Sequence, residues 1–149
     1  MCGFLRRIQR KDISMIRKEA RETAMCLLFE QEFRAGETPE EIYEISLDNR
    51  EIEDDEYLRR VFFGTNENLS QIDEMIGKHA HGWKTERMSR VSRALCRIAV
   101  YEMLFEKDIP APVSINEAIE LCKKYDEEKA RRFVNGVLNA VKSEIADAE

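Results

Sequence analysis

Residues 108–145 read DIPAPVSINEAIELCKKYDEEKARRFVNGVLNAVKSEI, and the pattern of this stretch decides the fold. Its second half repeats apolar residues every three or four positions, which predicts an amphipathic helix. This apolar face contains Ala130, Phe133, Val134, Val137, Leu138 and Val141. We expect Asp126 to cap the helix and the helix to extend to about Ile145. Gly136 lowers helix propensity, so its presence predicts a close approach by another helix.

The first half of the same stretch predicts a second helix. Ser114 and Glu117 have the spacing of a capping box, which predicts a helix from Ser114 to about Tyr125. The two prolines within residues 108–113 predict a stiff connector before it, because proline lacks an amide hydrogen and restricts the residue that precedes it. We expect Asn116 and Glu117 to stabilise the start of this helix rather than to contact a ligand.

Helical spacing of apolar residues continues towards the amino terminus, and strand signals are scarce. The predicted helices cover about residues 15–35, a short acidic segment that begins at Pro39, residues 54–79 and residues 90–106. Gly36 is expected to end the first of them, and Ser89 to cap the last. The helix over 54–79 is predicted to be continuous because its apolar stripe has no gap. That stripe contains Leu58, Val61, Phe62, Thr65, Leu69, Ile72 and Ile76.

The composition agrees with a helical domain. The chain has 149 residues, which is the size of one domain with its own core, and 43% are hydrophobic and 36% charged. It contains no apolar stretch of about 20 residues, and its first 13 residues lack the apolar run of a signal peptide. We therefore expect a cytoplasmic protein with no membrane segment. Residues 1–14 are expected to be a dispensable, flexible basic extension, with Met15 as the functional start of a domain over residues 15–149.

The cysteines and histidines give little sign of a metal or disulfide site. The four cysteines have no Cys-x-x-Cys spacing, and we expect Cys26, Cys96 and Cys122 to be buried free thiols. His79 and His81 are the only histidines, and no cysteine lies near them, so a metal site is disfavoured. No cofactor is expected. Trp83 is expected to be a partly buried anchor in a linker rather than a ligand platform.

Charge is distributed unevenly along the chain. The net charge is −6, yet the first 21 residues contain seven bases and two acids. Residues 37–56 contain ten acids and only one base. A basic amino-terminal region is compatible with binding to nucleic acid, whereas the acidic segment is expected to avoid it.

Two motifs near the carboxyl terminus resemble the signature of the NusB family of transcription antitermination proteins. The first is DIPAPVSINEAIEL at residues 108–121, and the second is RFVNGVLN at residues 132–139. The sequence RKEAR at residues 17–21 is similar to the arginine-rich opening of that family, and LCRIAVYE at residues 95–102 to its central helix. The resemblance covers about residues 15–141.

The resemblance implies an all-α fold, in which two packed helical subdomains form one compact domain. It also implies a function in binding rather than in catalysis. Proteins of this family bind the boxA element of nascent RNA together with NusE, a small-subunit ribosomal protein. As part of a larger assembly with other Nus factors, they make the RNA polymerase elongation complex resist termination, especially on ribosomal RNA operons.

The resemblance also implies candidate RNA-binding residues at matching positions. These are Arg17, Lys18, Arg21, Arg97, Tyr125, Lys129, Arg132 and Phe133. Positions 17 and 21 lie on one helix face, where guanidinium groups can meet phosphates, and aromatic rings can stack on single-stranded bases. Spacing alone favours a solvated face for the basic turn over an RNA contact, and favours Phe133 as a core residue.

Two positions differ from the pattern of the family, and other functions remain open. Ser92 stands where some relatives have an acid, and Lys129 where others have an acid near the RNA. One alternative is a helical protein-interaction adaptor that does not bind RNA. Another is the similar domain that precedes the catalytic domain of some ribosomal RNA methyltransferases, which the short chain and the lack of a glycine-rich loop disfavour. Nothing in the sequence places a carboxylate pair beside a nucleophile, so we expect no enzyme activity.

Overall fold

The computed structural model describes residues 13–80 and 88–149, with side chains from Arg17 onward. The predictions for the extension before residue 13, for His81 and for Trp83 lie outside the described residues. Seven helices are present in the described ranges: α1 Ile13–Gln31, α2 Pro39–Asp48, α3 Glu56–Glu67, α4 Leu69–His79, α5 Arg90–Phe105, α6 Ala111–Tyr125 and α7 Glu128–Ala148. These ranges contain no strand, so the predicted all-α class is confirmed.

The chain divides into two compact units between Asn66 and Glu67. The first unit holds α1, α2 and α3, and the second holds α4 to α7. Among the helices described, none is both long enough and apolar enough to cross a membrane.

The first unit has an aromatic core between α2 and α3. The ring of Tyr43 lies 6.1 Å from that of Phe62 and 5.2 Å from that of Phe63, between centroids. Tyr43 and Phe62 are completely buried. The predicted start of α2 is confirmed, because Thr38 and Glu41 form a reciprocal capping box in which the Thr38 hydroxyl accepts from the Glu41 amide at 3.1 Å.

Asp54, in the acidic segment, also has a structural role in this unit. Asp54 accepts a hydrogen bond from the Tyr43 hydroxyl at 2.9 Å and is also paired with Arg59. The guanidinium of Arg59 in turn lies 5.0 Å from the centroid of the Tyr43 ring. Burial, together with the hydrogen bond to Asp54, raises the pKa of the Tyr43 phenol. Asp54 therefore links the loop before α3 to α2.

The predicted single helix over residues 54–79 is wrong, because the structure has two helices there, α3 and α4, separated at Asn68. The apolar stripe keeps its helical period across Asn68, so the period could not predict that the helix ends there. The Asn66 amide donates to the Phe62 carbonyl at 3.0 Å and accepts from Gln31 at 2.6 Å. Asparagine bonds of this kind compete with the helical backbone and weaken a helix locally.

Helix α5 is the centre of the second unit. It contacts α4, α6 and α7, and ten of its sixteen residues are buried. Ser89 caps it as predicted, because its hydroxyl accepts from the Ser92 amide at 3.0 Å. Two carboxyl groups are buried here, that of Glu102 on the helix and that of Glu106 at its C-cap. Glu102 accepts from the Ser114 hydroxyl at 2.7 Å, and Glu106 from the Tyr101 hydroxyl at 3.1 Å.

The predicted start of the following helix is wrong by one turn. Helix α6 begins at Ala111, with Pro110 at the N-cap, so Ser114 and Glu117 do not form a capping box. The prolines fit here because the first amides of a helix have no acceptor within it, so a missing amide hydrogen costs little. Ser114 is instead buried and donates its hydroxyl to Glu102.

The start of α7 also differs from the prediction. The N-cap is Glu127, which makes no side-chain capping bond, and Asp126 is instead the C-cap of α6. Gly136 is exposed, and a methyl group placed there meets no described atom within 4 Å. The predicted close approach by another helix is therefore wrong among the described residues.

This geometry makes Gly136 a site where alanine should stabilise the protein. We expect Gly136→Ala to raise the free energy of unfolding by up to about 1 kcal/mol, because alanine has the higher helix propensity. Gly36→Ala is the matched control and should destabilise, because Gly36 has a φ of 99° that favours glycine. Urea denaturation of the two variants tests both. Destabilisation by Gly136→Ala would show that a close contact does exist.

The three described cysteines are free. Cys96 and Cys122 are buried as predicted, and burial raises the pKa of both thiols. Cys26 is exposed, so its predicted burial is wrong. Its neighbours Met25 and Leu27 are buried, but each residue of a helix is turned by about 100° from the last. An apolar run therefore does not place every member inside.

Candidate nucleic-acid interface

The basic turn of α1, consisting of Arg17, Lys18 and Arg21, does not present its three cations equally. Lys18 is exposed and Arg17 is half-buried, whereas only 5% of Arg21 is accessible. Positions 17 and 21 share one helix face, as expected from their spacing. Lys18 is thus the most exposed of the three cations, and the two arginines have a further role.

Both arginines of the basic turn lie against the same aromatic ring, that of Tyr57 on α3. The guanidinium carbons of Arg17 and Arg21 lie 4.7 Å and 5.6 Å from its centroid. Arg60, from α3 itself, lies 5.8 Å from it. A cation over an aromatic face is attracted by the ring quadrupole, and the contact holds the side chain in place. Tyr57 therefore orients the arginines of α1.

A second group of predicted residues lies where α6 ends and α7 begins. Tyr125 is the last residue of α6 and is 43% exposed, and Lys129 and Arg132 are exposed on the first turns of α7. Phe133 is half-buried, so its ring is neither enclosed in the core nor fully exposed for stacking. Residues 123–132 contain five cations and three acids, so this segment is basic within an acidic chain.

Arg97 is occupied by an ion pair inside the second unit. Its guanidinium donates to the two carboxylate oxygens of Asp73 at 2.9 Å and 2.8 Å, which joins α5 to α4. The Arg97 side chain is 15% exposed and that of Asp73 is 31% exposed. The structure thus places Arg97 in a bidentate ion pair with Asp73.

A cavity of about 450 Å³ opens beside Phe133. Its described lining comes from the starts of α5 and α7 and the turn between α6 and α7. Met88, Ala130 and Phe133 form apolar walls, and Ser89, Ser92, Asp126, Glu127 and Lys129 supply polar groups.

Asp126 organises the polar end of this cavity. One of its carboxylate oxygens accepts from the hydroxyls of Ser89 at 2.5 Å and Ser92 at 2.7 Å, and the other from the Glu127 amide at 2.8 Å. Burial acts to raise the pKa of Asp126, but these three hydrogen bonds outweigh it and lower the pKa below its ordinary value. Asp126 is therefore an ionised acceptor at neutral pH.

The described residues hold no cluster of three histidine, cysteine or acidic side chains that could bind a metal. His79, the one described histidine, lies 2.6 Å from a Glu144 oxygen, and Lys78 lies 3.1 Å from the other. The hydrogen bonds from His79 and Lys78 lower the pKa of Glu144. These contacts tie α4 to α7.

Sequence reasoning missed the residues that position the candidate site. Tyr57 is separated from Arg17 by 40 positions, so no local spacing connects them. Ser89 and Asp126 were each predicted as helix caps, but their mutual hydrogen bond is a tertiary contact. Arg97 and Asp73 have opposite charge, yet either has many other possible partners in the chain.

Comparison with known proteins identifies close relatives along most of the chain. The model of the NusB family matches residues 18–143. The transcription antitermination protein NusB of Bacillus subtilis is 44% identical over 131 residues, which cover 88% of this chain and 98% of that protein.

Solved structures give the same result at the level of the fold. A structure of NusB from T. maritima has a TM-score of 0.78 and 42% identity. The match covers 86% of this chain and 91% of the T. maritima chain. A crystal structure of the antitermination factors NusB and NusE in complex with dsRNA contains a chain with a TM-score of 0.75 and 31% identity. That match covers 86% of this chain and 96% of that chain.

Proposed function

Because this chain belongs to the NusB family, we propose that it is a transcription antitermination factor that binds boxA-type RNA together with NusE. In this role it makes the RNA polymerase elongation complex resist termination, notably on ribosomal RNA operons and together with other Nus factors. The observation that carries the proposal is the match of the family model to residues 18–143. A related chain has been solved with NusE and RNA, which supports both partners.

Two groups of side chains would contact the RNA. In the first unit, Lys18 and Arg17 supply cations for phosphates. In the second, Lys129 and Arg132 supply further cations on α7. Both lysines and Arg132 are exposed, as phosphate contacts require. The half-exposed rings of Tyr125 and Phe133 suit stacking on unpaired bases.

Arg21 and Arg97 have a different part in the same proposal. Each is held by a protein partner, Arg21 by the Tyr57 ring and Arg97 by Asp73. We expect Arg21 to keep Tyr57 in place beneath Arg17, and Arg97 to add positive potential near α5. Their loss would therefore change the shape of the site as well as its charge.

A binding experiment with three components tests the function. Affinity for a short boxA-type RNA and for a scrambled RNA of the same composition would be measured with and without purified NusE. We expect tighter binding to the boxA-type RNA and a gain in affinity when NusE is added. Binding to NusE with no RNA binding under either condition would favour the protein-interaction adaptor instead.

The basic turn permits a sharper test, because its cations differ in burial. Lys18→Ala should leave stability unchanged. It should reduce the slope of log binding constant against log salt concentration by about 0.7, the value for one single-strand phosphate contact. Arg21→Ala should lower the free energy of unfolding by about 1 kcal/mol, because it removes a cation from the Tyr57 ring together with buried stem packing. Urea denaturation and anisotropy titrations at several salt concentrations separate the two effects. Equal stability of the two variants would contradict the role assigned to Arg21.

A further inference from the structure

We propose that the cavity beside Phe133 binds one unstacked guanine base of the RNA. This inference rests on the proposed RNA-binding function and adds a base-specific contact to it. The cavity lies in the second unit alone, and the residues that carry the argument are Ser89, Ser92, Asp126 and Phe133.

The size and walls of the cavity suit a flat ring. Its volume of about 450 Å³ falls within the range of roughly 300–1,000 Å³ that is usual for small-ligand sites. Met88 and Ala130 are apolar, and Phe133 adds an aromatic ring to the wall. A base that leaves its stack needs such surfaces for its two faces, and aromatic side chains commonly supply one of them.

Asp126 and the serine hydroxyls bonded to it present acceptors to the cavity, and Lys129 adds a cationic donor to the lining. The hydroxyl protons of Ser89 and Ser92 are both directed to Asp126, so either oxygen can only accept a further hydrogen bond. Ser92 is buried beside Cys122, whereas Ser89 is exposed and uses one lone pair for the Ser92 amide. The carboxylate itself can only accept, and three of its roughly four acceptor sites are used by protein donors. One site on Asp126 and one lone pair of the exposed Ser89 hydroxyl remain for a ligand.

Guanine is the base whose edge matches this arrangement. Its N1–H and its amino group are adjacent donors on the Watson–Crick edge, so two acceptors such as Asp126 and Ser89 can be satisfied together. Adenine and cytosine present one amino group beside a ring nitrogen that is itself an acceptor. Uracil presents one N–H between two carbonyl oxygens. Each of these bases would place an acceptor against an acceptor, and an unpaired polar group of this kind costs affinity.

The test compares bases at one position of an otherwise uniform RNA. Oligouridine RNAs with a single central guanine, inosine, adenine or cytosine would be titrated against the full chain in the presence of NusE. We expect the guanine RNA to bind about tenfold more tightly than the adenine or cytosine RNA. Inosine, which lacks the amino group, should fall between them.

A matched pair of variants assigns the preference to the cavity. Asp126→Asn replaces an acceptor with a group that can donate, and should bring the guanine to adenine ratio close to one. Glu128→Gln removes the same charge two residues away, at an exposed position outside the described lining, and should keep the preference. Thermal unfolding would check both variants, and the base series on the unaltered protein tests the proposal even if Asp126→Asn is unstable.

The outcomes separate this inference from the proposed function. Equal affinity for all four RNAs would overturn the guanine site and leave RNA binding intact, whereas no binding to any RNA would overturn both. If Asp126→Asn weakened binding to NusE but kept the base preference, the cavity would belong to the protein partner and the guanine site would be wrong.

Discussion

Replacing Ser114 by alanine is expected to lower the free energy of unfolding by about 1–3 kcal/mol. Its hydroxyl is the donor to Oε1 of Glu102 at 2.7 Å, and both side chains are at least 98% buried. Alanine would leave a buried carboxyl oxygen without this donor, and water cannot reach it as a substitute. The cost exceeds that of losing an exposed helix cap, because the acceptor left behind remains desolvated.

Ser143→Ala is the matched control for this prediction. Ser143 lies on α7 and is exposed, so its hydroxyl can bond to water in both the folded and the unfolded chain. We expect the Ser143→Ala variant to have almost the same unfolding midpoint in urea as the unaltered protein. The dependence of its unfolding free energy on urea concentration should also be the same. If Ser114→Ala cost no more than Ser143→Ala, the bond to Glu102 would contribute nothing to stability.

The helices could be predicted from the sequence because each has a buried apolar face of period near 3.6. The errors occur where polar side chains, and not apolar ones, determine the backbone. Helix α3 ends at Glu67, just after Asn66 and its side-chain hydrogen bonds, while the apolar stripe continues unbroken. Ser114 has the local pattern of a cap, yet a stronger partner on another helix takes its hydroxyl. Such partners depend on tertiary packing, which spacing along one helix does not describe.

The candidate site shows the same limit in another form. Charge and resemblance identified the cations, but could not distinguish Lys18 in solvent from Arg21 against Tyr57. Gly136 was expected to mark a close contact, but its helix face is open among the described residues. A glycine has several physical reasons to occur in a helix, and the sequence of one chain does not separate them.

Tyr125→Ala is expected to weaken binding to boxA-type RNA by about 1–3 kcal/mol while leaving its salt dependence unchanged. Tyr125 ends α6 with 43% of its surface exposed, so its ring can cover an unpaired base without a change of fold. The Lys124 ammonium lies 5.3 Å from the ring centroid, which adds a positive charge beside the same surface. Stacking carries no net charge, so its loss should not change the number of counterions released.

Three further variants make the result specific to the ring. Tyr125→Phe keeps the aromatic face and should bind almost as tightly as the unaltered protein, whereas Lys129→Ala should reduce the salt slope by about 0.7. Phe105→Ala removes an aromatic ring of similar exposure from the end of α5 and should have no effect on RNA affinity. Anisotropy titrations of all four variants at several salt concentrations, with circular dichroism to confirm folding, provide the comparison. A folded Tyr125→Ala variant that binds as tightly as Tyr125→Phe would exclude Tyr125 from the RNA contact, because the only difference between them is the ring.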